Sequence, residues 1–112
     1  MANQSDELDG MFQALGDPTR RAVLERLGSG PTPVRELAEP FKMALPSFLQ
    51  HLRVLEDRGL VHSQKVGRVR TYRLAPQPLK AAEHWIVTRR AHWERRLDQL
   101  DSYLQELKKQ QS

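Results

Sequence analysis

The chain has 112 residues and a net charge of +4, with 29% charged and 38% hydrophobic residues, which is typical of one globular domain. It has no cysteine, no apolar run near the roughly 18 residues of a membrane span, and no secretory signal at its start. This composition excludes disulfides and thiolate metal sites, argues against a membrane partner, and makes the cytoplasm the expected compartment.

The positive charge is concentrated in residues 42–73, where seven basic and two acidic residues give a net charge of +5. A localised basic segment is typical of a protein that binds a polyanion. A solvated basic face would have the same composition, so charge alone leaves both interpretations open.

Two helices are predicted near the start, over residues 6–28. Gly16 ends the first helix, and Asp17 followed by Pro18 is a typical N-cap and first-turn proline, which predicts that a second helix begins there. The glycines and proline of residues 28–31 end the second helix. Four apolar residues at helical spacing indicate the first helix: Leu8, Met11, Phe12 and Leu15.

Residues 33–58 are predicted to form a helix-turn-helix. The pair Thr32–Pro33 repeats the cap-and-proline pattern and predicts a short third helix over residues 34–38. A tight connection then leads to a fourth helix, with Pro46 in its first turn and Gly59 closing it. The predicted core-facing stripe of the fourth helix is Leu45, Phe48, Leu52 and Leu55.

A β-hairpin is predicted over residues 60–74, because the apolar period changes from 3.6 to 2 at that point. Its strands are joined by a turn at Gly67–Arg68. The predicted fold is therefore mainly α with one small hairpin, in the order α-α-α-α-β-β-α. A basic hairpin directly after a helix-turn-helix is the wing of a winged helix-turn-helix.

One long helix is predicted over residues 79–108, after a break at Pro76 and Pro78, with fraying over residues 109–112. Packing on the protein's own core is one interpretation of its apolar residues. However, about 30 helical residues span about 45 Å, more than so small a domain can cover, so a symmetric partner helix is the simpler explanation. The apolar residues are spaced 4, 3, 4 and 3, as in a heptad seam: Trp93, Leu97, Leu100, Leu104 and Leu107.

The exposed face of the fourth helix carries the candidate base contacts. Gln pairs well with adenine, Arg with guanine and Ser with several bases, and recognition helices read with their N-terminal half. Ser47 and Gln50 are therefore stronger candidates than Arg53, and Pro46 lies beside them in the first turn. Leu49 lies between the two faces. It fits the edge of the core, which is slightly favoured, or contact with a thymine methyl group, for which it is kept as a candidate.

The predicted wing carries the candidate backbone contacts Lys65, Arg68 and Arg70. Alternation is expected to place Arg68 and Arg70 on one face and Val69 on the other. Edge strands also carry charge simply to resist aggregation. With Arg73, residues 65–73 contain four basic residues and no acidic one, which favours contact with DNA phosphates or the minor groove.

The segments FQALGDPTRRAVLERLGSG and VRELAEPFKMALPSFLQHLRVLEDRGLVHSQKVGRVRTYRLAP resemble the ArsR family of winged-helix repressors, in the branch without a cysteine metal box. The resemblance covers about residues 8–76. It implies a homodimeric repressor of inverted-repeat operators in double-stranded DNA, with a dimer interface formed by the first and last helices. Many members have a polar cap where Ala44 stands and a serine where Leu49 stands, so no target sequence is carried over. The candidate interface residues are Leu8, Met11, Phe12, Trp93, Leu97, Leu100, Leu104 and Leu107.

Other functions have less support. His84 and His92 lie eight residues apart on the predicted last helix, so a metal site across a dimer is a minor alternative; no metal or cofactor is expected. A protein-interaction adaptor that binds an acidic partner is the alternative to a DNA-binding regulator. No catalytic motif is present, so an enzyme is not expected. The operator, the regulated genes and any small-molecule effector are not readable from the residues.

Overall fold

A computed structural model of the chain describes residues 4–111, and its side chains from residue 6 onward. It confirms a mainly helical fold with a small antiparallel hairpin. The chain divides into two units, one up to Ala81 and one from Ala82. The elements in chain order are α1 Gln4–Leu15, α2 Pro18–Leu27, β1 Thr32–Pro33, α3 Val34–Ala38, α4 Leu45–Asp57, β2 Val61–Val66, β3 Val69–Leu74 and α5 Pro76–Gln111.

The core of the first unit is apolar and comes from its helices and its sheet together. These side chains are at most 6% exposed, and burial of this kind supplies the main driving force for folding. The aromatic rings of Phe41 and Phe48 pack with their centroids 5.2 Å apart. The core residues of this unit are Met11, Ala14, Val23, Leu27, Leu37, Phe48, Leu52, Leu55, Leu60, Val61, Tyr72 and Ala75.

The junction between α1 and α2 forms as the sequence predicts. Asp17 is the N-cap of α2, and its carboxylate accepts a hydrogen bond of 3.0 Å from the backbone N–H of Arg20. The guanidinium of Arg20 donates to the carbonyls of Gln13 and Ala14, at 3.1 and 2.7 Å. These carbonyls lie in the last turn of α1, where a helix has no internal partner for them. Arg20 therefore caps the preceding helix, a role that periodicity alone did not indicate.

A third strand was not predicted. Thr32 pairs with Tyr72, so the sheet has the order β1-β3-β2. The prediction that Thr32 caps α3 with Pro33 at its first position is wrong: Pro33 itself occupies the cap position and provides no side-chain hydrogen bond. Thr32 lies in β1, one residue before the cap position, where it is 3% exposed and its hydroxyl donates to the carbonyl of Gly30.

Helix α4 buries Phe48, Leu52 and Leu55, each at most 1% exposed, as predicted. The prediction for Leu45 is wrong, since its side chain is 54% exposed. Helical side chains lean over the turn that precedes them, and Leu45 begins the helix, so no turn of α4 lies beneath it. The cap residue Ala44 makes no side-chain hydrogen bond.

The end of α4 is a Schellman motif that sets the start of the wing. Gly59 has a φ of +74°, a left-handed conformation that favours glycine. Its N–H donates to the carbonyl of Glu56 at 2.9 Å, and the N–H of Leu60 donates to the carbonyl of Leu55 at 2.9 Å. Leu55 and Leu60 are both fully buried, so the turn is fixed by packing as well as by hydrogen bonds.

Helix α5 begins earlier than predicted, at Pro76. The expectation that Pro76 and Pro78 break the chain is wrong, because both lie in the first turn, where backbone N–H groups have no helical partner in any case. The helix also continues past the predicted fraying point to Gln111, while residue 112 lies outside the described residues. Its 36 residues correspond to about 54 Å.

Candidate nucleic-acid interface

The outer face of α4 is exposed at every residue predicted to contact bases: Pro46, Ser47, Leu49, Gln50 and Arg53. Leu49 is 41% exposed, so it lies on the surface rather than at the slightly favoured core edge. The buried face of the same helix anchors it to the core. The polar side chains are thus presented on a helix that packing holds in place.

The wing is a regular two-stranded hairpin closed by a two-residue loop. Val66 pairs with Val69, and Gly67 between them has a φ of +65°. A positive φ at the first loop position alone is typical of a type II′ turn, which matches the twist of a hairpin. Arg68 lies in this loop rather than on a strand, so alternation does not assign it to the face of Arg70.

The register of the hairpin places Lys65 directly opposite Arg70. Ser63 lies opposite Tyr72, two residues further from the tip. Because side chains alternate along a strand, these four residues share one face of the hairpin. Lys65 and Arg70 are exposed, whereas Tyr72 is only 6% exposed. One face of the wing therefore runs from a buried phenol to two exposed cations.

An open groove of about 600 Å³ lies between α4 and this face of the wing. It brings together five of the eight predicted contacts, Pro46, Leu49, Gln50, Arg53 and Arg70, while the other three lie outside its lining. The groove also contains residues that the sequence did not single out. These are Glu56, Asp57, Ser63 and Tyr72.

A chain of hydrogen bonds crosses the groove from α4 to the wing. The hydroxyl of Ser63 donates to the Glu56 carboxylate at 2.9 Å, and Nη1 of Arg70 donates to the Ser63 hydroxyl oxygen at 2.9 Å. We refer to these three residues as the Glu56–Ser63–Arg70 chain. Strand alternation with a two-residue loop places Ser63 and Arg70 on one face, but nothing local in the sequence indicates that Glu56 reaches them.

Tyr72 lies at the inner end of the groove. Burial raises the pKa of its phenol above the ordinary value of 10.0, and the nearby charge of Glu56 raises it further. The charge of Arg70 and a hydrogen bond with Ser63 act in the opposite direction. The phenol is therefore protonated at neutral pH and adds no negative charge to the groove.

On its other side, α4 contacts the junction of the first two helices through His51. Nδ1 of His51 lies 3.2 Å from the Arg20 guanidinium and 3.6 Å from the Asp17 carboxylate. Burial tends to raise the pKa of Asp17, but the hydrogen bond from the Arg20 backbone and the charges of His51 and Arg20 lower it below the ordinary 3.8. His51 is half-buried and makes these polar contacts.

The predicted dimerisation residues differ in exposure. Met11 is 4% exposed, so its side chain belongs to the core of the first unit, while Phe12 is 37% exposed and Leu8 is half-buried. The seam residues of α5 are 36–63% exposed: Trp93, Leu97, Leu100, Leu104 and Leu107.

Within residues 4–111, no group of three or more His, Asp or Glu side chains is arranged to hold a metal ion. His84 and His92 are both exposed on α5. None of the described helices combines the length and apolar character required to cross a membrane.

Comparison with known proteins identifies relatives over most of the chain. A family described as a helix-turn-helix domain matches residues 15–64. The HTH-type transcriptional regulator Rv2034 of Mycobacterium tuberculosis is 45% identical over 73 residues, which are 65% of this chain and 68% of that protein. The transcriptional repressor SdpR of Bacillus subtilis is 29% identical over 80 residues, which are 71% of this chain and 89% of that protein.

A solved structure is similar as well. The crystal structure of the ArsR family transcriptional regulator RHA00566 is 52% identical and superimposes with a TM-score of 0.78. The match covers 84% of this chain and 97% of that one. Both the sequence and the fold of this chain are thus similar to those of transcriptional regulators.

Proposed function

Because the chain belongs to the ArsR family of winged helix-turn-helix transcriptional regulators, which are DNA-binding proteins and not enzymes, we propose that it is a homodimeric repressor of an inverted-repeat operator. The observation that carries the proposal is the groove between α4 and the wing. There the amide of Gln50 and the guanidinium groups of Arg53 and Arg70 converge on one exposed concave surface. Repression is the function named for the similar SdpR.

Helix α4 enters the major groove in this proposal. Its first turns are exposed, and Ser47 and Gln50 meet base edges there, while Arg53 reaches a guanine or a phosphate. Leu49 contacts a thymine methyl group, and Pro46 packs against the DNA backbone at the start of the helix. The exposure of Leu49 supports this role, since 41% of its surface is available in the chain alone.

The wing supplies the phosphate contacts. Lys65, Arg68 and Arg70 are exposed at and near the tip of the hairpin. Cations in this position bind the sugar–phosphate backbone or the minor groove and fix the orientation of the recognition helix. They add affinity that is largely independent of sequence and depends steeply on salt.

The seam of α5 is the main dimer interface in this proposal. Its leucines are exposed along two heptads, and an apolar stripe of this kind is buried most simply against its own symmetric copy. Phe12 and Leu8 of α1 extend the interface, whereas Met11 is left out because it is buried in its own chain. A two-fold dimer presents two copies of α4 to successive major grooves about 34 Å apart, which corresponds to an inverted repeat.

The test is fluorescence anisotropy with DNA from upstream of the gene that encodes this chain, and with a scrambled duplex of the same composition. The two are compared at about 50 and 200 mM salt, the range over which phosphate-driven binding weakens strongly. Selective, salt-sensitive binding to the upstream duplex supports an autoregulating repressor. Equal binding to both indicates an operator elsewhere.

The double variant Arg68→Ala with Arg70→Ala is expected to weaken binding to every duplex alike, whereas Gln50→Ala is expected to change the preferred sequence. If neither duplex binds at low salt, the proposal fails and an adaptor for an acidic protein becomes the better explanation.

A further inference from the structure

Three exposed cations at and near the tip of the wing, Lys65, Arg68 and Arg70, differ in how far their side chains are fixed before DNA arrives. Among the described residues, the Arg70 side chain hydrogen-bonds to Ser63, whereas the side chains of Lys65 and Arg68 make no hydrogen bond or ion pair. A long cationic side chain loses considerable rotamer freedom when it binds a phosphate or a base. A side chain that is already oriented loses less conformational entropy on binding, so Arg70 is expected to bind at a lower entropic cost than Lys65 or Arg68.

The direction of the Glu56–Ser63–Arg70 chain is set by its chemistry. A serine hydroxyl has one proton to donate and two lone pairs with which to accept. The carboxylate of Glu56 takes that proton, so the lone pairs of Ser63 are left to accept from the guanidinium of Arg70 and from the phenol of Tyr72. Ser63 engages one of the five N–H donors of Arg70 and leaves the rest of the fork available for a phosphate or a base edge.

The position of Glu56 needs a physical reason. A carboxylate in a groove that faces DNA repels the phosphates, and Glu56 is exposed on the same helix that carries the candidate base contacts. Its contact with Ser63 supplies that reason, because the carboxylate links the recognition helix to the wing across the groove. The two elements that contact different parts of the DNA are thereby coupled through side chains.

We propose that Glu56 and Ser63 are positioning residues that hold the Arg70 guanidinium ready to contact DNA and couple its placement to that of α4. The proposal deepens the proposed DNA-binding function and rests on it. Neither Glu56 nor Ser63 needs to touch the DNA itself. Their effect on affinity passes through Arg70 and disappears when Arg70 is removed.

The first test is Ser63→Ala, which interrupts the Glu56–Ser63–Arg70 chain of hydrogen bonds without changing any charge. Gln64→Ala, on the opposite face of β2, is the matched control. The probe is a fluorescent duplex of about 30 base pairs enriched by this protein from a randomised library, long enough for two half-sites. Ser63→Ala is expected to weaken binding about three- to tenfold, the range for one or two hydrogen bonds, with the salt slope unchanged. Arg70→Ala is expected to reduce that slope by about 1 per binding subunit.

A double-mutant cycle then separates positioning from direct contact. In the Arg70→Ala background, Ser63→Ala is expected to have no further effect, since the group it positions is gone. Additive losses would mean that Ser63 contacts DNA on its own and would overturn the proposal. An unchanged affinity of Ser63→Ala in the presence of Arg70 would overturn it as well.

The second test compares Glu56→Gln with Glu56→Ala. Both remove the same negative charge, so the gain in affinity from the lost repulsion of phosphates is expected to be the same in both variants. Only Glu56→Gln keeps an oxygen that can accept the Ser63 proton. Glu56→Ala is therefore expected to bind the selected and the scrambled duplex about three- to tenfold more weakly than Glu56→Gln does. Equal affinities of the two variants would overturn the proposal.

Relaxation of the Arg70 Nε–H group by ¹⁵N NMR in the DNA-free protein is expected to show greater mobility in Ser63→Ala, which reports positioning without DNA. If Ser63→Ala does not fold, the comparison of Glu56→Gln with Glu56→Ala tests the positioning role instead. Failure of the wild type to bind selected or scrambled DNA overturns the proposed function and the positioning role together, whereas an effect of Arg70→Ala without one of Ser63→Ala overturns the positioning role alone.

Discussion

Helix α4 and the seam of α5 have similar apolar periodicity and opposite burial. Leu52 and Leu55 of α4 are fully buried within the chain, whereas Leu97 and Leu100 of α5 are 63% and 52% exposed. A buried leucine contributes about 1.5–3 kcal/mol relative to an exposed one. Periodicity therefore predicts a helix and its apolar face, but not whether the same chain or another one covers that face.

The largest expected effect comes from a charge on the exposed seam. Leu100→Asp is expected to convert a dimer into a monomer in analytical ultracentrifugation, because a carboxylate at the centre of an apolar interface is desolvated without a partner. Loss of the second half-site contact is expected to lower the affinity for the selected duplex about 100-fold or more. The control is Gln99→Asp, which adds the same charge one residue away from the seam. A dimeric Leu100→Asp protein would contradict the proposal that the seam of α5 is the dimer interface.

Shortening a buried side chain of α4 is expected to destabilise the fold of the individual subunit. Leu52→Ala is expected to lower the free energy of unfolding by about 2–5 kcal/mol, since it leaves a cavity in a fully packed core. Urea denaturation measures this loss, which should be the same at low and high protein concentration. Leu100→Ala is the control, and its effect on the midpoint should change with protein concentration, as expected for a residue that stabilises through association. The same concentration dependence for both variants would contradict this distinction.

The sequence predicted the order of the elements well because their limits depend on local chemistry. Asp17 and Pro18 begin α2, and Gly59 ends α4, as their conformational preferences require. Strand β1 was missed because Thr32 pairs with Tyr72, forty residues away along the chain, and no local pattern records such a pairing. Proline in the first turn of α5 was interpreted as a break although that position tolerates it.

The candidate site was predicted only in part, for a similar reason. Helical geometry was enough to put Gln50 and Arg53 on one exposed face. It could not show that Glu56 reaches across to Ser63, because that contact depends on the angle between α4 and the hairpin. The exposed face of a helix is therefore predictable from the sequence, whereas the hydrogen bonds between that helix and the wing require the packed structure.

Helix α4 is also held by a polar contact with the start of α2, since His51 lies 3.6 Å from the Asp17 carboxylate. The pKa of Asp17 is below its ordinary value of 3.8, so its contribution to stability is present above pH 3.8 and is lost as pH falls through the lowered pKa. Asp17→Asn keeps an equivalent N-cap and removes the charge, so a loss of about 1 kcal/mol or less is expected at neutral pH, with a weaker decline in acid. Urea unfolding between pH 7 and pH 2 measures the free energy of unfolding and its decline in acid. Asp101→Asn, on the exposed part of α5, is the control. Identical acid profiles for Asp17→Asn and wild type would mean that packing alone anchors α4.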